Sequence, residues 1–259
     1  MKYEPVTTLI LLLLFTITQF IGLLITQQYY TEELPYSLEP PPVRGGWSVS
    51  YLVLGIIVVT IIFYLFNKLK FEKFLKVWFG VAVLMSLSVA LSTFLGDLMG
   101  FITALVFTTL RLFTKDQYIH NLTELLIYGG IVSIFAPLFS PLSVIILLII
   151  VSVYDFISVF VTKHMVAMAR SQSAVNLFSG LMVKHKGETA ILGGGDIAFS
   201  LLFATVIGRA FGVVYAYLNT YLVITSLIIL TLIGRKGKFY PAMPFITGAC
   251  LVSYLVALI

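Results

Sequence analysis

Residues 142–163 read LSVIILLIIVSVYDFISVFVTK, and this stretch is long and apolar enough to decide the class of the fold. A helix that crosses the hydrocarbon core of a bilayer needs about 20 apolar residues at a rise of about 1.5 Å each. The stretch meets that requirement and carries one carboxylate, Asp155, deep inside it. A charged side chain at such a depth costs at least about 2.5 kcal/mol, so an intramembrane acid is expected to be functional. The stretch therefore predicts a membrane-spanning helix with a functional aspartate.

The composition of the whole chain is also that of a membrane protein. Of the 259 residues, 60% are hydrophobic and only 10% are charged, which is more apolar surface than a soluble domain of this size can bury. The net charge of +5 comes from Lys and Arg in short runs between apolar stretches, which indicates topology signals and no nucleic-acid binding. The single cysteine, Cys250, and three distant histidines form neither an intrachain disulfide nor a zinc site, so we expect no metal and no cofactor.

Apolar stretches separated by polar or turn-forming residues predict an all-α polytopic membrane protein with nine spans. The predicted spans are 6–26, 49–66, 77–95, 98–113, 122–136, 142–163, 190–208, 213–233 and 241–258. The first exceeds the usual signal-peptide core and lacks a cleavage pattern, so we interpret it as a retained span. Pro137 and Pro141 separate the fifth span from the sixth, because proline cannot continue a helix without losing a hydrogen bond.

The chain is predicted to be one membrane domain in three parts. Residues 1–164 form a six-helix bundle, 165–189 a cytoplasmic loop, and 190–259 the last three helices. The loop mixes apolar and basic residues, a composition that can lie on the membrane surface. A transmembrane helix hides its carbonyl groups in hydrogen bonds, and the loop could help to hold such a segment once it is unwound. Glu124 and Asp97 lie near span ends and are interpreted as interfacial residues.

The basic residues test the count of spans, because a wrong count would scatter Lys and Arg over both sides of the membrane. With the N-terminus in the cytoplasm, 14 of the 16 Lys and Arg residues fall on the cytoplasmic side. These are Lys2, Lys68, Lys70, Lys73, Lys76, Arg111, Lys115, Lys163, Arg170, Lys184, Lys186, Arg235, Lys236 and Lys238. Only Arg44 and Arg209 fall outside, with Glu32, Glu33 and Glu39. The distribution predicts a cytoplasmic N-terminus and a C-terminus outside.

A second carboxylate, Asp196, lies early in the predicted seventh span, within the sequence LGGGDI at 192–197. The sixth span runs inward to Lys163, and the seventh starts from the cytoplasmic side after Glu188. Asp155 lies eight residues before Lys163, and Asp196 lies eight residues after Glu188. If the intervening backbone is helical, both lie about 12 Å inside the cytoplasmic boundary. We therefore expect Asp155 and Asp196 to face each other.

Two carboxylates at one level of a low-dielectric site suggest peptide hydrolysis. They cannot both ionise cheaply, so one is expected to keep its proton while the other is charged. The charged partner can take a proton from a water as it attacks the scissile carbonyl, while the protonated partner donates to the carbonyl oxygen. Because the pair titrates as a unit, neither role is assigned to Asp155 or to Asp196.

Glycine and proline residues occur at the same predicted level. Gly193, Gly194 and Gly195 each cost a helix about 1 kcal/mol relative to alanine, which loosens the first turn of the seventh span. They would let Asp196 move and let a substrate strand approach, although small residues also favour tight helix packing. The sequence Pro241-Ala242-Met243-Pro244 opens the ninth span. Proline is ordinary in a first turn, but at this level an irregular segment could also form one wall of a cleft.

These motifs resemble those of the presenilin and signal peptide peptidase family of intramembrane aspartyl proteases. Tyr154-Asp155 resembles the Tyr-Asp motif of the family's sixth helix, and Gly193 to Asp196 resembles the GxGD motif of its seventh. The segment Pro241-Ala242-Met243 stands where the family has Pro-Ala-Leu, with methionine replacing leucine. Each motif alone is weak, but the three in this order, with nine predicted spans, are specific and cover nearly the whole chain.

The resemblance implies that Asp155 and Asp196 are catalytic. It implies that Tyr154, Gly193, Gly194, Gly195, Pro241, Ala242 and Met243 shape the active site and bind substrate. The implied substrates are single-pass membrane proteins or signal-peptide remnants in the cell membrane, without a cofactor. A cytoplasmic N-terminus is presenilin-like, since signal peptide peptidases are inverted. The compact loops resemble those of an archaeal homologue that works without accessory subunits, and they leave homo-oligomerisation open.

Two other functions are compatible with the same residues. Prepilin and preflagellin peptidases also carry GxGD, but they lack the Tyr-Asp and Pro-Ala-Met partners in this order. A cation-leak channel or transporter could use paired intramembrane carboxylates to bind protons or cations, although the sequence has no evident internal repeat. Metal and serine intramembrane proteases are excluded, because the sequence has no HExxH and no serine nucleophile pattern with a helical histidine.

Overall fold

The fold consists of helices and one short β-hairpin, as seen in a computed structural model. The structure describes residues 4–39, 50, 54–55, 58, 72–114, 116–162, 178–185, 188–234 and 240–259. Its helices are α1 (Pro5–Gln28), α2 (Glu72–Leu95), α3 (Asp97–Phe113), α4 (Gln117–Phe135), α5 (Pro141–Ile157), α6 (Gly194–Phe211), α7 (Val213–Ile233) and α8 (Met243–Ala257). Its strands are β1 (Gly180–His185) and β2 (Glu188–Gly193), and single 3₁₀ turns lie at Pro35–Ser37 and Ala136–Leu138.

Six of the described helical stretches are long and apolar enough to cross a membrane. They are Pro5–Gln28, Phe74–Leu95, Gln117–Leu138, Pro141–Phe160, Gly194–Phe211 and Val213–Ile233, and the shorter Met243–Ala257 is also apolar. Many of their large apolar side chains are exposed on the outer surface, which suits contact with lipid. The predicted second span, 49–66, lies largely outside the described residues. The described part is therefore that of a multi-pass membrane protein.

Several helix limits follow the signals in the sequence. Helix α5 begins at Pro141, directly after Ser140, whose side chain and that of Ser143 form a capping box. Helix α7 covers the predicted range, Val213–Ile233. Helix α5 ends at Ile157 and passes into a π-turn, Ser158–Thr162. The sixth span thus extends close to its predicted end at residue 163, but with a change of helical winding after Asp155.

The predicted start of the seventh span at residue 190 is wrong. Residues Glu188–Gly193 form β2, which pairs antiparallel with β1 from Gly180 opposite Gly193 to His185 opposite Glu188, and the helix begins only at Gly194. Apolar residues in a short run do not by themselves distinguish a strand from a helix end. The estimate of equal depth for the two aspartates is therefore not valid, because a strand rises about 3.3 Å per residue and a helix about 1.5 Å.

Helix α6 lies at the centre of the larger hydrophobic core. Its side chains Ile197, Leu201, Phe203 and Ile207 are fully buried, and it contacts α1, α4, α5, α7, α8 and the hairpin. Helix α1 approaches it so closely at Gly22 that an added Cβ would come within 2.3 Å of the Leu201 side chain. Polar contacts also join these two helices. The position of Asp196, at the start of α6, is therefore set by most of the surrounding elements.

A smaller hydrophobic cluster joins α2, α3 and α4. It contains Val83, Leu87 and Leu91 of α2, Ala104 of α3 and Ile127 of α4. Helix α4 also contributes side chains to the larger core around α6. It is therefore the element through which α2 and α3 are connected to the centre of the molecule.

Candidate active site

Asp155 lies in the last turn of α5, with its carboxylate turned away from the lipid-facing surface. Only 5% of the residue is exposed. Its Oδ2 accepts a hydrogen bond from the backbone N–H of Met243 at 3.2 Å, and the backbone of Ala242 lies close to it. The start of α8 therefore holds this carboxylate through a main-chain donor, whose geometry is fixed by the backbone.

Asp196 lies in the first turn of α6, two residues after the helix begins at Gly194. It is partly buried, and its carboxylate lies beside Gly193, the last residue of β2. The side chain therefore lies at the junction between the hairpin and the helix.

The two aspartates belong to elements that pack against each other and against α8. The carboxyl groups of Asp155 and Asp196 are close enough to interact electrostatically. The structure thus brings together Asp155, Asp196 and the backbone of Ala242 and Met243. Among the described residues, no three His, Cys, Asp or Glu side chains lie close enough to hold a metal ion.

The other predicted site residues differ in their relation to this pair. Pro241 is buried beside Ala242 and Met243. Tyr154, in contrast, is 66% exposed on the outer face of α5 and is not brought to the carboxylates. A Cβ added to Gly193 would lie 3.4 Å from Oδ2 of Asp196. The Pro-Ala-Met segment and the first glycine therefore contact the acidic pair, whereas the tyrosine ring does not.

The three glycines do not interrupt α6, because Gly194 and Gly195 form its first turn. The close approach is at Gly194, where a Cβ would lie 2.7 Å from the Tyr128 hydroxyl and 3.0 Å from Oγ of Ser179. At Gly195 a Cβ would make only ordinary contact, 3.8 Å from the Phe199 ring. Position 194 thus requires glycine for steric reasons. Position 195 is exposed and has no such steric requirement.

A buried ion pair next to this junction was not predicted. Glu124 of α4 is fully buried and pairs with the buried Arg111 of α3, so this acid near a span end faces the protein interior and is not exposed at the surface. Tyr128 also donates to the Glu124 carboxylate. The available signal was an acid and a base within two consecutive apolar spans, but the sequence alone does not reveal that they meet. Asp97 is exposed at the start of α3, as its interfacial interpretation requires.

Side chains of α4 also hold the edge of β1 that faces away from β2. Asn121 forms two hydrogen bonds with the backbone of Met182, at 2.7 and 3.1 Å. His120 Nε2 lies 2.8 Å from the Gly180 carbonyl oxygen, and Gln117 accepts from the Lys184 N–H at 3.3 Å. Within the described part of the chain, no such bonds reach the outer edge of β2 at residues 188–192. Counting the described residues alone, the hairpin is therefore fixed on one edge and open on the other.

Comparison with known proteins agrees with this arrangement. The family profile "Signal-peptide peptidase, presenilin aspartyl protease" matches residues 12–259. A solved presenilin family intramembrane aspartate protease, in space group C222, is 19% identical, with a TM-score of 0.72 over 97% of this chain and 98% of that chain. A structure with the same description in space group P2 is 20% identical, with a TM-score of 0.68 over 100% and 99%. A search of curated proteins gave no significant match. Because the profile covers nearly all of the sequence, the chain belongs to the signal-peptide peptidase and presenilin aspartyl protease family and is a multi-pass membrane aspartic endopeptidase.

Proposed function

We propose that this chain hydrolyses peptide bonds within the transmembrane segments of single-pass membrane proteins or signal-peptide remnants, with Asp155 and Asp196 as its catalytic pair. The observation that carries the proposal is the convergence of the two carboxylates at the junction of α5, α6 and α8. The main-chain N–H of Met243 donates to one carboxylate, and Gly193 lies beside the other.

The reaction needs a water between the two carboxylates. One aspartate, in its charged form, takes a proton from that water as the oxygen attacks the scissile carbonyl carbon. The other, in its protonated form, donates to the carbonyl oxygen as the tetrahedral intermediate forms. The N–H of Met243 orients Asp155, and Asp196 is placed by its position at the junction between Gly193 and α6. The roles are not divided between the two aspartates, because coupled carboxylates titrate together.

The hairpin favours an unwound peptide segment, and not a cation, as the species that binds next to the two aspartates. An unwound transmembrane segment exposes backbone donors and acceptors that must be satisfied inside the membrane. An open strand edge satisfies them by adding the segment as a further strand. The open edge of β2 leads directly to Gly193 and Asp196. A cation channel has no need of such an edge next to its acidic residues.

The finer membrane topology belongs to the same proposal. We infer nine spans, with the second at 49–66, a cytoplasmic N-terminus and a C-terminus outside. The support is the distribution of Lys and Arg, 14 of 16 on the predicted cytoplasmic side. In this orientation the two aspartates lie toward the cytoplasmic leaflet. We also infer that the chain acts without accessory subunits.

The test is cleavage of a single-pass substrate by the purified protein in proteoliposomes. Asp155→Asn and Asp196→Asn should each lower the rate by at least about 10³-fold, because each removes one partner of the acid–base pair. Asp97→Asn is the matched control, since it removes an exposed carboxylate at the start of α3. It should cleave at the rate of the unaltered protein.

A different outcome would overturn the proposal. Cleavage that survives in either aspartate variant would exclude the two-carboxylate mechanism. If the unaltered protein shows no cleavage but conducts cations across liposomes, and Asp155→Asn and Asp196→Asn abolish the current, the protein acts as a leak channel. Cleavage confined to leader peptides of pilin-type substrates would favour a prepilin-type peptidase.

A further inference from the structure

The ion pair between Arg111 and Glu124 is isolated from solvent. Their side chains are 4% and 0% exposed, respectively. A buried ion pair gives little net stability compared with apolar side chains of similar volume, because both charges lose their hydration. Its presence inside a membrane domain is therefore better explained by the specific bonds that its two members make.

Those bonds converge on the backbone that enters β1. Oε2 of Glu124 accepts the backbone N–H of Gly180 at 3.0 Å and lies 3.5 Å from Oγ of Ser179, which can donate to it. Arg111 donates to the carbonyl oxygen of Phe178 at 3.2 Å. The pair thus holds three consecutive residues, of which Gly180 lies opposite Gly193 in the hairpin register.

The same cluster also reaches the first turn of α6. The backbone N–H of Gly194 donates to the carbonyl oxygen of Ser179 at 3.2 Å. The Tyr128 hydroxyl, which donates to Glu124, occupies the space where a Cβ of Gly194 would lie, at 2.7 Å. Asp196 lies only two positions after Gly194, in the same helical turn. The cluster is therefore linked to the aspartate through short, directional contacts.

We propose that Glu124, oriented by Arg111 and Tyr128, is a positioning residue that sets the junction between β2 and α6 and thereby the position of Asp196. Glu124 does not touch the reacting atoms. It holds Gly180, which pairs with Gly193, and through Tyr128 it limits how far the first turn of α6 can move. The inference rests on the proposed catalytic role of Asp196.

The test compares Glu124→Gln with Asp116→Asn, two changes that each remove one carboxylate charge from the region of α4. Asp116 caps the N-terminus of α4 through the N–H groups of Tyr118 and Ile119, and asparagine is an equally good cap. Glu124→Gln should lower kcat by at least about tenfold with KM within about twofold, because displacement of a reacting group by about 1 Å can cost about 100-fold. Asp116→Asn should leave both constants unchanged.

A second readout separates positioning from folding. A peptide isostere with a tetrahedral hydroxyl in place of the scissile carbonyl needs both aspartates in their reactive positions, so its affinity should fall in parallel with kcat in Glu124→Gln. Tyr128→Phe, which keeps the buried ring, should lower kcat about threefold. If Glu124→Gln does not yield folded protein, Tyr128→Phe and its affinity for the isostere decide the question.

The outcomes distinguish the two proposals. If the unaltered protein cleaves and Asp196→Asn does not, but Glu124→Gln has the kcat and isostere affinity of Asp116→Asn, the positioning role is wrong and the catalytic pair stands. The same conclusion follows if Glu124→Gln reduces only the amount of folded protein, or if Tyr128→Phe has unchanged kcat. If Asp196→Asn still cleaves, the proposed function and this inference both fail.

Discussion

The two aspartates are held in different ways. Asp155 is buried, but its neighbours Val153, Tyr154 and Phe156 are all more than half exposed on the lipid-facing side of α5. Asp196 is followed by the fully buried Ile197 and lies where β2, α6 and the cluster around Glu124 meet. The neighbours of Asp155 in the sequence thus lie largely on the outer surface, whereas Asp196 is followed by a residue of the interior.

This difference suggests a division of tasks within the site. The π-turn at Ser158–Thr162 follows directly after the last turn of α5, and such turns are often found at functional sites. We expect a substrate that arrives from the bilayer to approach along the exposed side chains of α5 and to meet the Asp155 carboxylate on the inner side of that helix. Asp196 and the hairpin then form the side of the site that the surrounding elements hold in place, which we call the fixed side. The unwound substrate segment is aligned against it. Four changes in the chain can test or refine this comparison.

The largest effect is expected where α8 holds Asp155. Met243→Pro removes the N–H that donates to Oδ2, at the first position of α8, although proline there also disfavours the αR conformation of Ala242. A hydrogen bond to a charged group contributes up to about 3 kcal/mol, so kcat should fall by about 100-fold. Met243→Leu keeps both the N–H and the buried volume and should retain near-normal kcat. Equal kcat in both variants would show that this main-chain hydrogen bond does not contribute to catalysis.

A smaller effect is expected at the fixed side, from a matched pair of glycines. Gly194→Ala places a Cβ 2.7 Å from the Tyr128 hydroxyl, whereas Gly195→Ala meets only the Phe199 ring at 3.8 Å. We expect Gly194→Ala to lower kcat by about tenfold and Gly195→Ala to lower it much less. Adding Tyr128→Phe to Gly194→Ala should restore part of the lost activity. An equal loss of kcat without rescue would contradict the steric explanation.

The contact between α1 and α6 should affect stability more than catalysis. Gln19 donates to Oγ of Ser200 at 2.8 Å and to the carbonyl oxygen of Ile197 at 3.1 Å. Gln19→Leu should lower the free energy of unfolding by about 1 kcal/mol, a typical value for hydrogen bonds between membrane helices. Gln28→Leu, which removes an exposed bond to Glu32, is the control and should have less than about half that effect. Denaturation in mixed micelles measures both.

The smallest effect is expected for the Tyr154 hydroxyl. The side chain is 66% exposed and its ring is not brought to the acidic pair. Tyr154→Phe should therefore change kcat and KM by less than about twofold, as is usual for an exposed position without special contacts. A large fall in kcat would mean that the tyrosine reaches the reaction centre once substrate is bound.

Much of this account follows from local features of the sequence. The apolar run at 142–163 predicts α5 with Asp155 inside it, and Pro241-Ala242-Met243 marks the start of α8. Both are local signals that depend on helix length and proline chemistry. Asp155 and Met243 are 88 positions apart in the chain. The sequence predicted only that they lie at a common level in the membrane, and it did not predict the hydrogen bond between them.

Other features could not be obtained from the sequence because they depend on partners far apart in it. Most of strand β2 was included in the predicted seventh span, because a six-residue run with apolar members fits a strand as well as a helix end. The pairing with β1 decides between these two structures. Glu124 was placed at a span end, because a lone acid in an apolar run does not reveal its partner. Only the packing of α3 against α4 brings Arg111 to it.

The central claim is that Asp155 and Asp196 act on one substrate atom together. The most direct measurement is an experimental structure of the protein in a lipid nanodisc with a peptide isostere that carries a tetrahedral hydroxyl. We predict that this hydroxyl lies within about 3 Å of a carboxylate oxygen of both residues, as a shared hydrogen bond requires. A hydroxyl bound by only one carboxylate, with lipid or another helix between the two, would contradict the account.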